Sequence, residues 1–165
     1  MALKEKALRR LSDKFHARSI PFALGGEYMM HQRGLLTEWH QFDVYVSRAF
    51  WDQASALLSR LGMKSSEHTE ESWCEGCFHF DGADITLHAG LPSAGGISLE
   101  IPDSGLEETD VFGSAVPLMP LADWYAICLI TKDSRNLAVL GGICPDTAQL
   151  ACIKGAASVS DLKNI

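Results

Sequence analysis

Two features near the start of the sequence have residue types that could do chemistry: the pair Gly25-Gly26 and the aspartate Asp43. The glycines follow a short apolar run, FAL, and Asp43 stands inside a second apolar run, FDVYV. A carboxylate in an apolar strand costs free energy unless it is paired or bound to a metal. Glycine permits a tight turn or a close approach of the backbone to a ligand. The glycine pair therefore predicts either a simple corner or a phosphate-binding turn, and Asp43 predicts a polar site beside it.

A second candidate site is the C-x-x-C motif formed by Cys74 and Cys77. His68 and His79 lie close to it in the sequence, and thiolate and imidazole are zinc ligands. The alternative is a hairpin turn with Glu75-Gly76 at its tip, in which the thiols are small packing groups. A closed zinc site needs four ligands and the sequence has no second C-x-x-C, so we favour packing. The five cysteines are odd in number and irregularly spaced, which indicates reduced thiols.

Helices and strands must position these residues, and the sequence predicts that the two alternate. Apolar residues four positions apart indicate an amphipathic helix at the start of the chain. Asp43 and Tyr45 are expected on one face of their strand because side chains alternate along a strand. Ser47 is a suitable N-cap for the helix that follows. The elements predicted for this half are helix 2–17, strand 22–24, helix 27–33, strand 42–46 and helix 48–61.

The second half is predicted to contain strands first and helices later. Asp81-Gly82 between two apolar runs is a strong hairpin signal. Pro120 can occupy the first turn of a helix that carries Trp124 and Cys128. The tail after Gly155 is predicted to be frayed. The elements predicted for this half are strands 64–70, 73–80, 83–88, 97–101 and 111–118, a helix from 120, and a helix pair over 133–140 and 145–154.

The composition predicts one compact domain over residues 1–165. With 165 residues, of which 47% are hydrophobic, the chain can bury a single core without disulfides or metal. The 14 Lys and Arg against 21 Asp and Glu give a net charge of −7, which argues against a surface built to hold nucleic acid. No stretch approaches the roughly 20 apolar residues of a membrane span. We therefore predict a cytoplasmic protein with no membrane partner and no nucleic acid as a main partner.

The order of these residues resembles the nucleotidyltransferase fold. The similarity is to small stand-alone bacterial members related to kanamycin nucleotidyltransferase and to the AbiEii-type toxin group, and it spans about residues 18–142. Those families have an apolar strand ending in Gly-Gly or Gly-Ser, then a strand with two aspartates flanking one apolar residue, then a third aspartate on a neighbouring strand. Here Gly25-Gly26 matches the first part, Asp43 the second aspartate and Asp84 the third. Lys132-Asp133 matches a Lys-Asp pair in a later helical segment.

The resemblance implies an α/β (α+β) fold, with a mixed β-sheet flanked by helices and further helices at the C-terminal end. It also implies that Asp43 and Asp84 are catalytic and hold Mg²⁺ together with Gln41, since Mg²⁺ takes oxygen ligands and bridges nucleotide phosphates. Gly25, Gly26 and Lys132 would then bind the nucleotide. The implied reaction moves a nucleoside monophosphate from a nucleoside triphosphate to a hydroxyl acceptor.

Two positions depart from the family pattern. Gln41 stands where the family has its first aspartate, and a neutral amide oxygen is a poorer Mg²⁺ ligand than a carboxylate. Trp39 likewise stands where the family has a threonine. Metal-assisted charge neutralisation lowers the barrier of such a transfer, so the loss of one carboxylate predicts slow catalysis.

Three functions therefore remain open from the sequence. The first is a weak nucleotidyltransferase that uses Mg²⁺. The second is an inactive module of the same fold that binds a ligand or a partner protein, and the resemblance implies that a helical partner is common among members of this size. The third is an α/β domain that forms a homodimer through exposed aromatic residues such as Trp51 or Trp73.

Overall fold

A computed structural model of the chain describes residues 2–92 and 95–163. Its elements alternate as the sequence predicts, and Phe42 to Val46 form a strand with the predicted bounds. The helices are α1 (Ala2–Ala17), α2 (Gly26–Gln32), α3 (Trp51–Leu61), α4 (Leu121–Thr131), α5 (Ser134–Leu140) and α6 (Val159–Leu162), with a short 3₁₀ turn at Arg48–Phe50. The strands are β1 (Ala23–Gly25), β2 (Phe42–Val46), β3 (Met63–Thr69), β4 (Trp73–Phe80), β5 (Ala83–Gly90), β6 (Ser98–Leu99), β7 (Glu108–Val111), β8 (Ser114–Pro117) and β9 (Ile153–Lys154).

Five strands form a mixed sheet in the order β1-β2-β5-β4-β3. Strands β2 and β5 are parallel, whereas β1–β2, β4–β5 and β3–β4 are antiparallel. Two small sheets, β6–β9 and β7–β8, lie outside it. The predicted hairpin at Asp81-Gly82 is confirmed, because β4 and β5 pair along their whole length on either side of it.

One face of the large sheet forms the core. Phe42, Val44 and Val46 of β2 are fully buried on this face, in register with Ile85, Leu87 and Ala89 of β5. Helices α1 and α3 pack against this face. The apolar stripe that the sequence predicts on α1 is buried, since Ala7, Leu8, Leu11 and Phe15 have no solvent exposure. The alternation of side chains along the strands therefore leaves the polar residues of β2 and β5 on the opposite face.

The opposite face carries rows of polar side chains that cross the sheet. Asp43 of β2 is in register with Thr86 of β5, and Thr86 in turn with Cys77 of β4. One step along, Tyr45 is in register with His88, and His88 with Glu75. Helix α4 lies beside this face, where its Trp124 contacts Tyr45 with ring centroids 6.0 Å apart.

A buried aspartate of α4 anchors the C-terminal part of the chain. Asp123 has no solvent exposure, and its carboxylate accepts hydrogen bonds from the backbone N–H groups of Ala151, Cys152 and Ile153 at 2.7 to 3.1 Å. Helix α6 also packs against α4. In the part of the chain described, no helix is both long enough and apolar enough to cross a membrane.

The structure corrects several predictions from the sequence. Residues 145–154 do not form a helix: they form turns and bends that end in β9, and Asp123 binds the backbone N–H groups of residues 151–153. The predicted frayed tail instead contains α6, whose start is a capping box made by Ser158 and Asp161. Trp51 is 5% exposed and packs in the core, so it offers no surface for self-association.

The C-x-x-C motif is not a hairpin, and its two thiols cannot share a metal ion. Glu75 and Gly76 lie inside β4 and not at a turn. Cys74 is buried on the core face, whereas Cys77 lies on the other face with its Sγ 3.8 Å from the Thr86 hydroxyl. Neighbouring ligands of one ion must converge, and alternation along the strand prevents this here.

We expect one fast-reacting thiol in the native protein. Cys77 is half-buried, whereas the other four cysteines are buried. Burial raises the pKa of Cys128 and Cys144, and it raises the pKa of Cys152 to about 12. Since the thiolate is the reactive form, these three should be alkylated more slowly than Cys77 at pH 8. Timed alkylation with mass spectrometry checks this, and Cys77→Ser should remove the fast phase; a second fast thiol would contradict it.

Candidate functional site

A cleft of about 400 Å³ opens on the polar face of the sheet, between the sheet and the helices α4 and α5. Its lining combines carboxylates with aromatic rings. The carboxylates come from four separate elements or loops: Glu27, Asp43, Glu75 and Asp133. The aromatic residues are Tyr45, Trp73 and Trp124.

Asp43 is a half-buried carboxylate of this cleft. Its side chain is 13% exposed. The Oδ1 atom accepts a hydrogen bond from the Gln41 amide Nε2 at 3.2 Å and another from the His88 Nε2 at 2.9 Å. These two donors offset the cost of holding a carboxylate in an apolar strand. The sequence-based expectation that Asp43 lies in a polar site is met by this arrangement.

The glycine corner lies directly against Asp43. Gly26 has φ +65°, and a Cβ at this position would be 2.2 Å from Asp43 Oδ2. A Cβ at Gly25 would be 2.8 Å from the Tyr45 ring and 3.2 Å from Trp124. Glycine is therefore required at both positions, at Gly26 for its left-handed backbone as well as for space. The corner of β1 and α2 closes over the side chains of β2.

His88 is held by contacts on two sides. Its ring stacks on Tyr45 with centroids 4.4 Å apart and an interplanar angle of 10°, while its Nε2–H donates to Asp43. Its side chain is 16% exposed. Burial and the charge of Asp43 raise the pKa of Tyr45 well above its usual value, so this ring stays uncharged. Parallel pairing of β2 and β5 creates the contact, because it places Tyr45 and His88 side by side.

The cleft is acidic on balance. Its four carboxylates face one arginine, Arg135, and one histidine, His88. Glu27 accepts from the backbone N–H and the ring of His40, and Asp133 caps α5 by accepting from Asn136. An excess of negative charge in a partly desolvated cleft favours cationic ligands and disfavours anionic ones.

The structure brings some predicted site residues together and leaves others apart. Gly25, Gly26, Gln41 and Asp43 converge. Asp84 lies on the same sheet face, two positions before Thr86, but its carboxylate is 70% exposed and pairs with His79 at 2.7 Å outside the cleft.

Neither Lys132 nor Trp39 lines the cleft. Lys132 is the C-cap of α4 with φ +58° and is exposed, next to the cleft residue Asp133. Trp39 packs against Tyr28 and Phe42 with ring centroids 4.9 and 4.7 Å away. Trp39 therefore fills space beside the core and adds no donor to the cleft.

The residues of the cleft do not fit a resident Mg²⁺. This ion takes close to six oxygen ligands in a nearly octahedral arrangement. Asp43 contributes a single carboxylate that already has two donors, and Gln41 directs its amide nitrogen and not its oxygen towards that carboxylate. Across residues 2–92 and 95–163, no three His, Cys, Asp or Glu side chains are grouped so that they could hold a metal ion.

Sequence patterns alone did not single out His88 and Glu75 as site residues. Both lie in predicted strands, and strand alternation alone places His88 on the same face as Asp84. The sequence does not show which of these two residues stands beside Asp43, because that depends on the register of β2 against β5. Trp124 was recognised only as an apolar helix residue.

The chain resembles solved nucleotidyltransferase structures. It superimposes on a "putative nucleotidyltransferase", TM1012, from Thermotoga maritima with a TM-score of 0.59, at 16% identity over 83% of this chain and 89% of that one. It also superimposes on the lincosamide antibiotic adenylyltransferase LnuA in its lincomycin-bound form, with a TM-score of 0.56, at 16% identity over 86% of this chain and 99% of the other. No protein-family model matches the sequence, and no curated protein matches it significantly. The predicted mixed-sheet nucleotidyltransferase fold is confirmed.

Proposed function

We propose that this chain, which has the nucleotidyltransferase fold, binds a small hydroxylated amine in its cleft and does not carry out rapid metal-dependent transfer. The observation that carries the proposal is the state of Asp43. Its Oδ1 accepts hydrogen bonds from both Gln41 and His88, so the carboxylate that the fold uses for metal is occupied by protein donors. The cleft retains the shape of a binding site without the usual metal ligands.

The class of ligand follows from the lining. Glu75 is half-buried and faces the cleft in register with His88, so it can pair with an ammonium group. Trp73 and Tyr45 offer aromatic faces, which attract cations and pack against the apolar side of a sugar ring. The structurally similar LnuA is described with lincomycin bound, which supports a small hydroxylated molecule as the kind of ligand this fold accommodates.

Nucleotidyl transfer from a nucleoside triphosphate is the competing function. The fold and the position of Asp43 against the Gly25-Gly26 corner support it. In that case backbone N–H groups at this corner, and Lys132, would contact phosphate. Against it stand Gln41 and the acidic lining, because a triphosphate without a metal would meet four carboxylates.

Calorimetric titration separates the two functions. We expect the native protein to bind members of a panel of hydroxylated amines that includes lincomycin, with an affinity that does not change when Mg²⁺ is replaced by EDTA. Glu75→Gln should weaken binding about 5- to 10-fold, since it removes one charge at a half-buried site. Glu71→Gln, which removes the same charge from an exposed residue outside the cleft, should leave affinity unchanged.

Two results would overturn the proposal. One is Mg²⁺-dependent release of pyrophosphate from ATP by the native protein in the presence of an acceptor. The other is the absence of binding by every amine of the panel at millimolar concentration, with the protein shown to be folded by its thermal transition.

A further inference from the structure

We infer that His88 takes the place of a metal ion at Asp43, as a built-in donor that occupies the Oδ1 atom together with Gln41. The inference concerns metal affinity and holds whether or not an amine binds in the cleft. It predicts that restoring a carboxylate at Gln41 is not enough to create a metal site, because the imidazole would still occupy the carboxylate.

The Oδ1 atom of Asp43 has two protein donors and is therefore not available to a metal ion. The Oδ1 atom accepts from Gln41 and His88 at 3.2 and 2.9 Å. The Oδ2 atom faces the Gly26 corner, where an added Cβ would overlap it. A metal ion needs an oxygen within about 2.1 Å. Binding through Oδ1 therefore requires that Gln41 or His88 moves away.

His88 is held in a fixed position beside Asp43. Its backbone is held in β5 by parallel pairing with β2, and its ring is stacked on Tyr45. A carboxylate only accepts hydrogen bonds, so the Nε2 of His88 carries the proton in this contact. The charged groups that flank the ring on the sheet are Asp43 of β2 and Glu75 of β4. Two carboxylates around one imidazole favour the donor role.

The two histidine–aspartate pairs of the described residues differ in their exposure to solvent. His79 bonds Asp84 at 2.7 Å, but these side chains are 59% and 70% exposed. Water competes with that pair, and exposed pairs of this kind contribute little. The His88–Asp43 pair is 16% and 13% exposed, so displacing its imidazole carries a larger cost. Of these two histidine–aspartate pairs, the His88–Asp43 pair is the one that lines the cleft.

Metal titration tests the inference directly. Mn²⁺ is followed by electron paramagnetic resonance and Mg²⁺ by calorimetry, for the native protein, Gln41→Asp, His88→Asp, and the double variant Gln41→Asp/His88→Asp. We expect the double variant to bind Mn²⁺ at least tenfold more tightly than the native protein and than either single variant. The double variant Gln53→Asp/His16→Asp makes the same change of charge at exposed positions and should bind no more Mn²⁺ than the native protein.

Two results overturn the inference. One is Mn²⁺ affinity in the native protein or in Gln41→Asp that equals that of the cleft double variant. The other is a folded double variant, as judged by its thermal transition, that gains no affinity. Because the double variant could fail to fold, the native protein is also tested by imidazole ¹⁵N NMR. We expect a protected Nε2–H signal for His88 that is lost in Asp43→Ala; an unprotonated Nε2 in the native protein would refute the donor role.

Discussion

Gly26→Ala is expected to lower the free energy of unfolding by about 3 kcal/mol and to abolish ligand binding in the cleft. Two costs add at this position. The backbone has φ +65°, a left-handed conformation that alanine adopts only with strain, and the new Cβ would lie 2.2 Å from Asp43 Oδ2. Either the carboxylate moves away from Gln41 and His88, or the corner between β1 and α2 opens. Urea denaturation and calorimetric titration measure the two effects.

Gly34→Ala is the matched control for this substitution. Gly34 has φ +76°, but an added Cβ would meet nothing within 4 Å. The free energy of unfolding of Gly34→Ala should therefore fall by only about 1 kcal/mol, the cost of the left-handed backbone conformation alone. This variant should bind ligand normally. Placing Gly26→Ala in an Asp43→Ala background should recover part of the loss, because the clashing carboxylate is gone. Equal losses for Gly26→Ala and Gly34→Ala would contradict the proposed contact.

Asp123→Ala is expected to lower the free energy of unfolding by about 4 kcal/mol. The carboxylate is fully buried and accepts from three consecutive backbone N–H groups, those of Ala151, Cys152 and Ile153. Truncation leaves these donors without an acceptor and opens a cavity beside α4. Hydrogen exchange should show that the amides of residues 151–153 lose protection first, while those of the large sheet keep theirs.

Two further variants define the cause of this loss. Asp123→Asn keeps one acceptor oxygen but turns an amide N–H₂ towards backbone donors. Its free energy of unfolding should therefore fall by about half as much as that of Asp123→Ala. Asp161→Ala removes an exposed carboxylate from the capping box of α6, and it should lower the free energy of unfolding by about 1 kcal/mol. If Asp123→Ala is no more harmful than Asp161→Ala, the carboxylate does not anchor the C-terminal segment.

Much of this molecule was determined by local sequence patterns. The four-residue spacing of apolar side chains predicts α1, and strand alternation predicts that Asp43 and Tyr45 leave the core face together. The Gly25-Gly26 corner was predicted at the end of a strand and is found there. These features depend on neighbours within one element, and local periodicity reports such contacts directly.

The tertiary structure alone decided which polar groups meet. The contact between Asp43 and His88 joins residues 45 positions apart, and it depends on the register of two parallel strands. Asp43 is in register with Thr86, and a shift of two residues would have put Asp84 directly opposite Asp43 instead. The non-helical course of residues 151–153 is likewise held by Asp123, 28 to 30 positions away, and it overrides the helical pattern of that segment. Long-range hydrogen bonds leave no periodic signal in the chain, so their partners become known only when the strands and helices are packed.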